Sequence, residues 1–141
     1  MIQKDYILRM YEMMAELIAA ILGFIKKGEL SKANQAIENA YYTLLREDSS
    51  FFREIPVEQL TDTLIQEHNY TNHHLEILAE LFIAEAELQY AHKNYYNSSE
   101  MYEKSLVLLK FVEEVNKTFS VGKRDKLLNI ERKLEELKKI R

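Results

Sequence analysis

Only three glycines and one proline interrupt 141 residues, and between them large apolar side chains return every three or four positions. A many-stranded β protein needs more turn residues than this and an alternation of period two. The spacing instead places apolar stripes on helices, and the abundant Ala, Leu, Glu, Lys and Met favour the same state. The 47% hydrophobic and 30% charged content is that of an ordered globular chain. The expected class is all-α, in a single domain.

The periodicity predicts six helices. The first covers about 3–27 and ends at Lys26-Lys27-Gly28, where cations meet the negative helix end and glycine can turn left-handed. Ser31 is the expected N-cap of the second, whose stripe is Ala33, Ile37, Ala40 and Leu44. Asp48-Ser49-Ser50 reads as a turn, and Pro56 as the first turn of a short third helix bearing Val57, Leu60 and Leu64. Asn69 or Thr71 is available to cap a fourth helix, about 72–92. Asn97 with Glu100 predicts a capping box for a fifth, bearing Tyr102, Leu106, Leu109 and Val112. A last helix carries Leu127, Ile130, Leu134 and Leu137, a seam too short to stand alone.

Two of these segments echo one another. Gly28, Leu30, Ala33, Ile37, Ala40 and Tyr41 are matched at the same offsets by Lys93, Tyr95, Ser98, Tyr102, Ser105 and Leu106. Small residues at the third and fifth places let one helix sink against another, and bulky ones fill the groove around them. With Leu17 and Phe24 upstream of the first copy, and Phe82 and Ala86 upstream of the second, the pattern resembles the tetratricopeptide repeat. Ile21, Gln89 and Lys93 depart from it, Lys93 at the turn glycine, so Asn94 is the expected left-handed residue there. The copies also lie 65 residues apart rather than 34.

The resemblance implies antiparallel helix hairpins, about 3–46 and 72–117, stacked as a short right-handed solenoid. An irregular insertion fills 47–71, and a capping helix covers about 121–141. It further implies a ligand along the first helix of each pair, at Glu80, Ile83, Glu87 and Tyr90 in the second copy and at Ala15, Ile18, Leu22 and Ile25 in the first. The opening MIQKDYILRM is similar to the start of a family of small helical bacterial proteins of unassigned function, which brings no catalytic residues.

The absence of cysteine excludes disulfides, thiolate zinc sites and cysteine nucleophiles. No signal-peptide layout opens the chain, and the most apolar run, 13–25, is too short to span a bilayer, so the expected location is cytoplasmic. No nucleophile elbow, phosphate loop or Glu-x-x-His pair occurs, and the expectation is a non-catalytic protein without a cofactor. Glu80, Glu85 and Glu87 read as a solvated or partner-facing acidic stripe. A metal-binding alternative gathers His68, His73 and His74, although neighbouring His73 and His74 diverge by about 100° on a helix. A second alternative is nucleic-acid binding: the formal net charge is −4, yet 123–141 holds eight Lys/Arg against four Asp/Glu, with Lys123, Arg124 and Lys126 foremost.

The first helix is apolar almost all round between Met13 and Ile25, so either its own chain covers both sides or a second subunit does. A protein-interaction or scaffold module that forms a homodimer through Met14, Ile18, Leu22 and Ile25 is the reading these features favour.

Overall fold

The computed structural model describes residues 2–116 and 121–140, and every ordered element in it is helical. Helix α1 is Ile2–Lys26, α2 Leu30–Leu45 and α3 Ser49–Glu54; α4 is one turn, Leu60–Asp62, between a 3-10 turn at Val57–Gln59 and a π-helical segment at Thr63–Glu67. Then come α5 Asn72–Ala91, α6 Tyr95–Asn116 and α7 Val121–Ile140. The expected ends at 117 and 141 lie outside the described residues, as does the junction 117–120.

Helices α1 and α2 form one hairpin and α5 and α6 a second, while α5 also lies against both α1 and α2. That position explains its composition. Leu75, Ile77, Leu78, Leu81, Phe82 and Leu88 are buried on several sides of it, as expected of a helix surrounded by others. Helix α1, by contrast, buries only Met10 and Ile21 among its described residues and leaves Leu8, Met13 and Leu22 exposed. Helix α7 packs on α6 through Ile130 and Leu137.

The two hairpin turns are built alike. In the first, the N–H groups of Lys27, Gly28 and Glu29 donate to the carbonyls of Gly23, Ile25 and Phe24 at 2.9–3.1 Å. Sixty-five residues on, those of His92, Lys93 and Asn94 donate to Leu88, Tyr90 and Gln89 at 2.8–3.0 Å. Both are glycine-type helix ends with a six-to-one bond, which requires one left-handed residue. That residue is Gly28, φ 77°, in one and Lys93, φ 65°, in the other, so Lys93 takes the role expected of Asn94. The next helix then begins at once, at Leu30 and Tyr95. Ser31 and Asn97 therefore lie inside their helices and cap nothing. The matched interior positions are all buried: Ala33, Ile37 and Ala40 against Ser98, Tyr102 and Ser105.

The insertion is more ordered than its composition suggests. The turn falls at Arg46, φ 62°, and Asp48 stands at the N-cap of α3, so Ser49 and Ser50 are helical. Pro56 precedes the 3-10 turn rather than opening an α-helix. What fixes the segment is Phe52, fully buried and stacked on Tyr41 of α2 with ring centroids 5.5 Å apart. Thr71 caps α5 by accepting from the His74 N–H, and His74 Nδ1 in turn accepts from the Thr71 N–H at 3.1 Å, a capping box closed by histidine.

A lysine side chain in left-handed backbone costs about 1 kcal/mol that glycine avoids. Lys93→Gly is expected to raise unfolding stability by about that amount and Gly28→Ala to lower it similarly, as read from urea midpoints.

Candidate functional site

The first helices of the two hairpins and α7 enclose a groove of about 370 Å³. Its floor is apolar: Met14, Ala15 and Ile18 of α1, Leu109 and Val112 of α6, and Leu127 of α7. Its rim is charged, with Glu76 and Glu80 of α5 facing Lys123 and Lys126 of α7. Lys126 Nζ bonds Glu80, and Lys123 Nζ lies 3.7 Å from Glu76. On the α1 side the Tyr11 hydroxyl donates to Glu76 at 2.8 Å and meets His73 Nδ1 at 3.2 Å. Burial, then the hydrogen bond to Glu76, pushes the Tyr11 phenol well above its usual 10.

The residues expected to meet a partner are spread along this arrangement. Glu80 stands on the rim; Ile83 is half-buried against the core; Glu87 accepts the Tyr102 hydroxyl at 2.6 Å. Tyr90 is exposed, edge-on to Tyr95 at 5.3 Å and 5.9 Å below the Lys133 ammonium. Among the α1 residues expected at a subunit contact, Met14 and Ile18 line the groove, Ile25 is half-buried and Leu22 is exposed. Lysines of α7 thus already meet two of the four α5 residues that the sequence offers to a ligand, Glu80 and Tyr90.

The histidines are not brought together. His68 packs edge-on to Phe51 at 4.7 Å, His73 contacts Tyr11 and His74 caps α5. Burial, then the neighbouring His73, lowers the His74 pKa. Among the described residues, no group of three or more His, Asp or Glu is placed to hold a metal ion. Two of the cations singled out for nucleic acid, Lys123 and Lys126, face carboxylates of α5 instead.

The opposite side carries a polar cluster that sequence reasoning missed. Glu85, expected on a solvated stripe, is buried. It accepts from the Tyr41 hydroxyl at 2.6 Å and from Arg53 Nε at 2.5 Å. Arg53 also reaches Glu38 at 3.0 Å, and Ser49 donates to the same Glu38. Behind it Lys104, its side chain wholly buried, donates to the Arg53 carbonyl at 2.7 Å. Burial alone lowers the Arg53 pKa, but the bonds and charges of Glu85 and Glu38 raise it above its usual value. For Lys104 burial wins, and its pKa falls. A polar pocket of about 430 Å³ opens over the cluster, lined by Asn34, Glu38, Arg53, Gln89 and Glu100 among others. The available signal was Glu85's position between Ala84 and Ala86, small neighbours on a crowded helix.

Comparison with protein-family models, curated proteins and solved structures returns no match. No helix among the described residues is long and apolar enough to cross a membrane.

Removing the buried Glu85 carboxylate leaves the buried Tyr41 hydroxyl without its acceptor, while Arg53, partly exposed, keeps Glu38. Glu85→Ala is expected to cost about 3 kcal/mol in urea unfolding, with Glu85→Leu/Tyr41→Phe recovering most of it; equal losses in both would contradict the pairing. The tyrosines set the alkaline limit. Burial first, aided by nearby carboxylates, raises Tyr11, Tyr41 and Tyr102 well above 10 and Tyr70 to about 12. Unfolded, these phenols ionise near 10 while the folded chain keeps them protonated, so their contribution is complete below pH 10 and is lost as pH rises above it. Lys104, with its lowered pKa, works in the opposite sense but is one group against four. Unfolding monitored by far-UV circular dichroism and by tyrosinate absorbance is expected to coincide above pH 10.

Proposed function

We propose that this chain is a non-catalytic helical interaction module, built on hairpins of tetratricopeptide type, that binds a protein partner in the α1–α5–α7 groove and self-associates through α1. The observation that carries the reading is the groove's make-up: an apolar floor shared by α1, α6 and α7, with opposite charges from α5 and α7 on its rim. Such a surface suits an amphipathic helix, whose apolar stripe fills the floor while its polar flanks meet Glu76, Glu80 and the lysines of α7. The matched turns at a 65-residue offset, and the seating of α5 against both helices of the first hairpin, support the stacked-hairpin reading. By that analogy α7 stands where the first helix of a further pair would lie. Of the α5 residues named for ligand contact, Glu80 remains in the binding face; Glu87 serves Tyr102, and Tyr90 marks the outer end. Self-association rests on the apolar residues that α1 leaves uncovered.

A photo-crosslinking side chain in place of Leu127, in the groove, is expected to trap a partner distinct from the chain's own dimer, whereas one in place of Thr43, exposed on α2, is not. The same products from both positions would refute the groove.

A further inference from the structure

The outer side of α1, next to the groove, carries one stripe of exposed residues: Leu8, Glu12, Ala15, Ala19, Leu22 and Lys26. They recur at intervals of four and three, the spacing of a helix-pairing seam. Leu8 is 58% and Leu22 40% exposed, and no helix among the described residues covers them. Charge stands only towards the ends. Glu12 lies seven residues before Ala19 and Lys26 seven after it, about 10 Å on either side at 1.5 Å per residue. Neither forms an ion pair among the described residues.

Reversal of a copy about Ala19 therefore sets each Glu12 level with the other copy's Lys26, and the face is complementary to itself in the antiparallel sense alone. In a parallel pair like charges meet at both levels. The middle of the stripe suits close approach, since Ala15 and Ala19 have no side chain beyond Cβ. Gly23 continues the row: a Cβ built there meets nothing within 4 Å. Glycine inside a helix is unfavourable, and the chain's own packing gives no reason for it; a second helix drawn close does.

We propose that two copies of this chain associate through an antiparallel, two-fold α1–α1 contact centred on Ala19, with Glu12 of each copy paired to Lys26 of the other and Leu22 seated against the alanines. The proposal rests on the self-association reading above and adds its partner surface, direction and register.

The chain has no cysteine, so an introduced one reports its own neighbours. Ala19→Cys is expected to form a disulfide-linked dimer under mild oxidation. Lys26→Cys alone is not, because its two copies stand about 20 Å apart in the antiparallel pair; mixed with Glu12→Cys it links to that chain. Glu12→Lys is expected to weaken dimerisation roughly tenfold by light scattering, and adding Lys26→Glu to restore it. A dimeric mass together with Lys26→Cys self-linking as efficient as that of Ala19→Cys, or with no Ala19→Cys linking, overturns the antiparallel contact and leaves self-association standing. A monomeric mass for the unsubstituted chain at micromolar concentration overturns both.

Discussion

A carboxylate sits in the middle of the most enclosed helix, and the arrangement of the rest follows from how it is satisfied. Glu85 takes the Tyr41 hydroxyl from α2 and the Arg53 guanidinium from α3, and the Arg53 carbonyl takes the Lys104 ammonium of α6. Four helices from three parts of the chain are thereby tied at one point. An apolar core tolerates small slips between layers, whereas a buried charge that loses its partner is costly and permits none. The insertion is not a passive spacer between the hairpins: Phe52 gives it an apolar anchor and Arg53 a polar one.

On the other side of α5 the means of attachment differ. Helix α7 reaches α5 through lysine–glutamate pairs on the surface, the class of contact that contributes least and weakens with salt. Tyr11 joins α1 to α5 there through its hydroxyl, which meets Glu76 and His73. The molecule thus has a locked polar side and a side of apolar floor and surface ion pairs, and the groove belongs to the second.

Helix content, hairpin positions and the echo between 28–41 and 93–106 were legible in the sequence, because helical period and the small–large alternation are local properties. So was the left-handed turn at Gly28. Lys93 was not: local preference favours Asn94, but the hydrogen-bond register of the hairpin decides, and it selects the same offset as in the first copy. Glu80, Glu85 and Glu87 look alike in sequence, yet one is on a rim, one is buried and one receives a tyrosine. Their fates depend on Arg53, Tyr102 and Lys126, none within 14 residues of its partner, and no periodic pattern records such pairings. The groove was half legible. The excess of apolar residues on α1 announced an uncovered surface, but the part α7 plays in walling it did not appear in the sequence.

The seating of α5 also bears on the order in which the chain is made. The α1–α2 hairpin is complete by Leu45, yet Tyr41 meets Phe82 and Glu85 only when α5, ending at Ala91, has emerged. At about 5–20 residues per second that interval lasts a few seconds. During synthesis the first hairpin therefore presents two apolar faces: the one α5 will cover, and the outer stripe of α1. The arrival of α5 covers the first of these faces and leaves the second open.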